Sequence, residues 1–438
     1  MRSTNMLLSR KGRLYAFGIM YLSEGIPYGF ATTAMVMFMR IQGLSIEQIG
    51  AFVAAVLLPW GFKWLWAPIV DIVKLNRFGG RKAWIMVCTA MMIVTLLVMA
   101  AVDFVANYKT LVWMVILNNI FCATQDVAID SLAVSTLKDN ERATANGYMF
   151  GGQYLGIALG GGGAIFISSL WGFNAALVFV SSILFANMVF ILLFVKDAAA
   201  ELAEKPRRQS AFSHFVGQLG QFIRNLYSGF VESGSGPKVG LIFALLPVGA
   251  MALAYAILGT LQVDYGLSEA QISRIAFASA MTSALGCLIG GYCADKFGIK
   301  RVMALAYGFT AIPTIYMAAQ ISAVGLTNIP PVYFYATILS HSLIFGMGFA
   351  IHAAIFMGMT KPAVAATQFT AYMALSNIAI SIGNLWQGVV AERFGYSLAL
   401  YLDSAIIVLA LAVIPFLKNR EKKSRVTDAE IELLTAKS

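Results

Sequence analysis

Glu24, Lys63, Asp126, Asp130, His341 and His352 stand out among the ionisable side chains inside long apolar stretches of this sequence. A charge in hydrocarbon is costly, so each must face a partner, a cavity or a function. Glu24 is about eleven residues, or ~16 Å, into the first stretch. Asp126 lies at similar depth in the fourth. Two acids at one depth on different helices can share or pass a proton, and burial moves a carboxyl toward the range where that is useful. The plain alternative is a pair of carboxyls satisfied by neighbouring hydroxyls. Asp130 is one turn from Asp126 and, at i+4, on the same helix face. Lys63 lies at a depth close to that of Asp130. The two form either a fixed ion pair between the second and fourth helices or a salt bridge that opens with proton or solute binding. Glu24, Asp126, Asp130 and Lys63 are therefore the candidate proton-coupling residues. His341, near the middle of the tenth stretch, either bonds a helix neighbour or meets the solute. On this reading the acidic chemistry is confined to the first half of the chain.

The elements that hold these groups follow from composition. The chain of 438 residues is 59% hydrophobic and 12% charged, with mean hydropathy +0.76. A soluble domain carries about 25% charged residues. Lipid accommodates the excess, but backbone polar groups there must pair internally, so spans are helices or closed barrels. A barrel would show ~10-residue alternating segments; these runs are ~20 residues or longer, the length of a spanning helix. Twelve helices are expected, at 14–39, 46–69, 82–102, 110–136, 142–170, 173–195, 239–263, 270–293, 301–320, 331–357, 366–390 and 396–417. The fold class is an all-α membrane protein of two pseudo-symmetric six-helix bundles. The expected units are 1–195, a linker at 196–238, 239–417, and a tail at 418–438.

Cations set the orientation. Of the 31 Lys and Arg residues, 26 fall on one side; Arg40, Lys109, Arg274 and Arg393 fall on the other, and Lys63 lies within the membrane. The positive side stays cytoplasmic during insertion. Both termini are thus expected in the cytoplasm of a multi-pass inner-membrane protein. The net charge of +10 belongs to these loops rather than to nucleic-acid binding. Within the linker, Phe212, Phe215, Val216, Leu219, Phe222, Ile223, Leu226 and Phe230 recur at helical spacing. They make an amphipathic helix on the inner membrane surface or one packed on the transport core.

Several chemistries are excluded. Cys88, Cys122, Cys287 and Cys293 lie inside apolar runs and show no disulfide or zinc spacing. No Walker loop, His-Glu-x-x-His or Gly-x-Ser-x-Gly motif occurs. No enzyme activity, metal or cofactor is expected; the partners are a small solute, protons and lipid, with the chain acting as a monomer. Pro27, Pro59, Pro247 and Pro313 read as helix bends. Gly147, Gly151, Gly152, Gly156 and Gly160 to Gly163 form a stripe where another helix can come close. Trp60, Trp64 and Trp66 either pack or line the path of a bulky solute.

The sequence also repeats. Gly43-Leu44-Ser45-Ile46-Glu47-Gln48-Ile49 matches Gly266-Leu267-Ser268-Glu269-Ala270-Gln271-Ile272. Tyr148-Met149 matches Tyr372-Met373, and Trp171-Gly172-Phe173-Asn174 matches Phe394-Gly395-Tyr396-Ser397. The offset is 223 or 224 each time, at equivalent topological places. A tandem parallel repeat of six helices resembles the two halves of a major facilitator, with the solute site between them. The loop Gly291-Tyr292-Cys293-Ala294-Asp295-Lys296-Phe297-Gly298-Ile299-Lys300-Arg301 resembles the facilitator loop motif. Its aspartate suits capping of a neighbouring helix N-terminus. The first-half counterpart, Asp71 followed by Phe78-Gly79-Gly80-Arg81-Lys82, is longer by five residues. Asp71, Arg81, Lys82, Gly291, Asp295, Lys296, Gly298 and Arg301 are the expected gating residues.

Gly25-Ile26-Pro27, Lys63-Trp64-Leu65-Trp66-Ala67-Pro68 with Asp71, and Gln125-Asp126-Val127-Ala128-Ile129-Asp130 resemble the AmpG muropeptide permease branch. That branch also holds acetyl-CoA transporters and siderophore permeases. The resemblance implies a proton-linked secondary transporter that imports a bulky polar solute, muropeptide- or siderophore-like, by alternating access. Gln125, Trp64, Tyr28, His341, Tyr148 and Tyr372 are the expected solute contacts. Muropeptide permeases commonly carry two spans more than twelve, which leans the expectation toward the siderophore type. A coenzyme A ester transporter and a non-transporting sensor are the alternatives.

Overall fold

The computed structural model describes residues 5–35, 59–73, 79–101, 108–197, 220–246 and 256–418, with isolated positions between them. Every regular element among them is helical. The first half comprises α1 (Arg10–Gly29), α2 (Ala67–Ile72), α3 (Arg81–Ala100), α4 (Tyr108–Thr136), α5 (Arg142–Trp171) and α6 (Phe173–Phe194). The second comprises α7 (Ser235–Ala244) and α8 (Ala256–Asp264), both from the seventh expected span, then α9 (Glu269–Phe297), α10 (Ile299–Val324), α11 (Pro331–Met359), α12 (Ala365–Phe394) and α13 (Tyr396–Ala410). Nine helices among the described residues are long and apolar enough to cross a membrane. This is the all-helical, two-bundle fold expected of twelve spans. The second and seventh spans are described only in part, and the first copy of the Gly-Leu-Ser repeat lies outside the described residues.

Local chemistry sets the helix ends. The side chain of Ser9 accepts from Gly12 N at the start of α1, and Ser268 with Gln271 forms a capping box on α9. Gly172 and Gly395, repeat partners by sequence, hold φ of 84° and 88° where α5 passes to α6 and α12 to α13. That left-handed geometry strains any residue with a Cβ. Pro27 and Pro313 lie inside α1 and α10, and a π turn at Phe30–Ala34 extends α1 beyond its proline.

The glycine stripe of α5 serves two partners. Gly152, Gly156 and Gly160 press on the backbone of α1 at Gly18, Leu22 and Ile26, where a methyl would overlap carbonyl oxygens. Gly147 meets the Cys287 carbonyl of α9, and Gly291 of α9 meets the Ala143 carbonyl of α5. The first set fixes α5 within its own half. The second lets the two halves touch.

The cores show where they touch. One buried cluster draws on both halves, from Phe17, Met20 and Met149 to Cys287, Tyr307 and Phe356. A second, around Phe30, Met92 and Leu177, belongs to the first half alone. A third, around Leu253, Phe334 and Leu400, belongs to the second half alone. The shared core lies toward the end that carries the basic loops, here termed the basic end. Among the described residues, the halves thus share a core at the basic end, and the two other buried clusters each belong to one half.

The described part of the linker helix begins at residue 220; residues 212–219 lie outside the described set. It packs on the second half. Lys361 Nζ donates to Asn225 Oδ1 at 3.2 Å, Gln368 Nε2 donates to the Gly229 carbonyl at 3.0 Å, and Phe230 meets the edge of Tyr372.

Candidate functional site

The four expected coupling residues come together in the first half. Each is buried: Glu24 on α1, Lys63 in the 3-10 turn before α2, and Asp126 and Asp130 on α4. Lys63 Nζ bonds Asp126 Oδ2 in a buried ion pair. This corrects the Lys63–Asp130 pairing suggested by depth, because the turn at Lys63–Leu65 directs the ammonium one helical turn further from the basic end. Asp130 instead accepts from the Tyr21 hydroxyl of α1. Glu24 Oε1 accepts from Gln153 Nε2 of α5 at 2.5 Å, and Glu24 Oε2 has no partner among the described residues. The cluster therefore binds α1, α2, α4 and α5 through one set of charges. It holds three carboxyls and one ammonium. Fully ionised, it would carry two uncompensated negative charges inside the membrane.

Two aspartates join the halves at the basic end. Asp71, in α2, accepts from Ala366 N at 3.1 Å and from Thr367 N and Oγ1 at 2.9 Å each, at the start of α12. Asp295, near the end of α9, accepts from Ala143 N at 3.2 Å and Thr144 N at 2.8 Å, at the start of α5. Each carboxylate satisfies unpaired amides where the helix dipole is positive. Asp71 and Asp295 are repeat equivalents, as are Ala143–Thr144 and Ala366–Thr367. One latch runs from first half to second and the other back. The five extra loop residues after Asp71 leave its cap intact.

Of the other expected gating residues, Gly291 touches the opposite half through Ala143. Arg81 and Lys82 are held within the first half: Arg81 Nε donates to Ser131 Oγ at 2.7 Å, and Lys82 Nζ to the Leu192 carbonyl at 2.8 Å. Lys296 lies over the rings of Tyr292 and Phe297. Gly298, at φ 97°, turns the chain into α10, and Arg301 lines a groove beside Lys296.

The expected solute contacts are not gathered at one place. Gln125 is fully buried and donates to Thr89 Oγ1 at 2.6 Å. Tyr372 is stacked on Phe356, with its hydroxyl on the Pro237 carbonyl. Tyr148 meets the edge of Tyr15. Tyr28 meets the edge of Trp60, which itself lies beneath Lys63 Nζ at 5.3 Å. Trp64 is exposed, while Trp60 and Trp66 donate to Asn119 and Thr124 and so tie the second span to α4. His341 is fully buried, and neither ring nitrogen has a partner among the described residues. It begins a run of rings through Phe345, Phe349, Phe150 and Tyr21 that crosses from α11 to α5 and α1 and ends on Asp130. His352 bonds Tyr307 and Ser376 through its two nitrogens.

Four residues escaped the sequence reading. Tyr21 was signalled, since it lies one turn before Glu24 on the same face. Gln153 directly follows the Gly151–Gly152 pair of α5. Glu141 forms a two-point ion pair with Arg13, at 2.6 and 2.8 Å, that ties the start of α1 to the loop before α5; nothing in the spacing showed it. Asp403 of α13 is a buried carboxyl in the second half. It corrects the expectation that the acidic chemistry is confined to the first half.

Paired six-helix bundles, a charged cluster in the membrane-spanning region of one, and reciprocal latches between them define a multi-pass membrane transporter. A family model described as Major Facilitator Superfamily matches residues 17–234 and 239–437, and the chain belongs to that superfamily. An uncharacterized protein of Haemophilus influenzae is 23% identical over 399 residues, covering 90% of this chain and 91% of that protein. The anhydromuropeptide permease of Escherichia coli K12 is 23% identical over 424 residues, covering 94% and 80%. Among solved structures, the proton:xylose symporter XylE superposes with a TM-score of 0.69 at 12% identity, covering 94% of this chain and 98% of that one.

Proposed function

We propose that this transporter couples an inward flow of protons to import of a bulky polar solute across the inner membrane, by alternating access, with both termini in the cytoplasm. The carrying observation is the excess of acid in the buried cluster. Three carboxyls against one ammonium leave two negative charges that hydrocarbon does not tolerate. Two protons remove them. Their arrival and departure change the contacts that Glu24, Asp126 and Asp130 make with α1, α2 and α5, so protonation alters how the helices of the first half are held. The ring run from Tyr21 to His341 offers a packed path to the second half.

The shared core and the two latches support a state closed at the basic end. In import, solute enters from the far side, the Asp71 and Asp295 latches part, and solute leaves at the basic end. A muropeptide-like solute is the first choice, because the E. coli relative is named an anhydromuropeptide permease; a ferric siderophore is the second. Uptake into proteoliposomes under an inward proton gradient tests this, with the two solutes offered side by side. Gradient-driven accumulation is expected, and Asp126→Asn should abolish it while solute exchange without a gradient persists. Unchanged gradient-driven uptake by Asp126→Asn would refute the coupling assignment.

A further inference from the structure

Asp403 has no counterpart in the first half: at the repeat offset its place is taken by Val180, a buried apolar residue of α6. The acid lies about three residues, or ~4.5 Å along the axis, from the middle of the span Tyr396–Phe416. Its exposure is 2%. Oδ2 accepts from Ala252 N at 3.2 Å, in the segment just before α8, and Oδ1 accepts from Gln387 Nε2 of α12 at 2.7 Å.

No Lys, Arg or His nitrogen among the described residues lies within 4.0 Å of it. The ionisable groups on the elements around it are engaged or exposed elsewhere. On α10, Lys300 donates to the Pro415 carbonyl, Arg301 lies in the groove with Lys296, Tyr307 bonds His352, and Tyr316 is exposed. On α12, Tyr372 bonds Pro237, and Glu392 and Arg393 are exposed in the last turns. On α8, Asp264 accepts from Tyr396 of α13, and Tyr401 of α13 is exposed.

We propose that Asp403 is a second proton-binding site, in the half opposite the main acid cluster. The inference rests on the proton-coupled reading above for its role in transport, but the site itself is argued from geometry. A mid-membrane carboxylate with only neutral donors is costly, and one proton from water removes the charge. Gln387 suits both forms. Its amide nitrogen donates to the carboxylate; turned over, its carbonyl accepts from the carboxylic acid. A lysine there would lock the charged form and a leucine the neutral one. The proton also changes the bond to Ala252, because a carboxylate accepts from a backbone amide more strongly than a neutral acid does. Proton binding at Asp403 therefore loosens the tie between α13 and the segment that starts α8, in the core that belongs to the second half alone.

Infrared difference spectra of the full chain in lipid nanodiscs, titrated from about pH 9 to about pH 4, test the site directly. On acidification the wild-type protein should gain a carboxylic acid C=O band, sensitive to heavy water, that Asp403→Asn lacks. Superimposable spectra for the two would overturn the proposal. Gln387→Leu keeps the acid and guards against misfolding of Asp403→Asn. It should move the midpoint of that band by about one pH unit, because the carboxylate loses a donor; an unmoved midpoint would refute the amide's part. Uptake assays separate this idea from the coupling reading. The band with gradient-independent uptake would uphold the site and remove the coupling. Gradient-driven uptake with no band would do the reverse.

Discussion

Replacing both latch aspartates, Asp71→Asn and Asp295→Asn, should open the basic end. Asparagine is nearly isosteric and keeps one acceptor oxygen, so side-chain packing is preserved. What is lost is the charge at two helix N-termini and part of the hydrogen bonding: three donors converge on Asp71 and two on Asp295. Each loss costs about 1 to 2 kcal/mol in the latched state. The caps share no residue, so the costs add to about 2 to 4 kcal/mol, or about a 30- to 900-fold shift toward the unlatched state. Spin labels at Lys138, in the first half, and Phe297, in the second, report the separation by double electron–electron resonance once the native cysteines are replaced. Both positions are exposed near the basic end. The double variant should populate longer distances that the wild type lacks, with each single variant intermediate. An unchanged distance distribution would show that the capping bonds do not hold the halves together.

Two further outcomes follow from buried ion pairs. Lys63→Met leaves Asp126 buried beside Glu24 and Asp130 without a cation and should lower stability by about 3 to 5 kcal/mol; adding Asp126→Asn should restore much of it, read as thermal unfolding in detergent. At the Arg13–Glu141 pair, burial pushes the Glu141 carboxyl up, but the Arg13 guanidinium and the Lys138 amide bonded to it, with the nearby charge of Arg10, together hold it below its ordinary 4.5. A depressed carboxyl contributes stability above its unfolded value and loses it as pH falls through the folded one. The melting temperature should therefore drop on acidification below about pH 4.5, and Glu141→Gln should flatten that part of the profile.

Much of the architecture was legible in residue order alone. Apolar runs of spanning length, cations gathered between alternate pairs of them, and an offset of 223 shared by separated segments gave the two-bundle fold, because lipid restricts the backbone to a few solutions. Glu24, Lys63, Asp126 and Asp130 were visible as candidates because ionisable groups in such runs are rare. Asp295 was visible through its loop motif. Which charges meet was not. Depth along a helix is a one-dimensional quantity; it placed Lys63 beside Asp130, while the turn before α2 and the rotation of α1 gave Lys63 to Asp126 and Tyr21 to Asp130. Asp403 meets the same test, as the one acid in the run 396–417, but only the approach of Ala252 and Gln387 from other helices shows its setting. The same holds for the latches. The sequence determined that Asp71 and Asp295 end their spans at the basic side, but that each caps a helix of the opposite half depends on how the two bundles pack. Helix propensity and hydropathy act locally along the chain, whereas pairing across helices is set by rotation and crossing, which only the packed structure specifies.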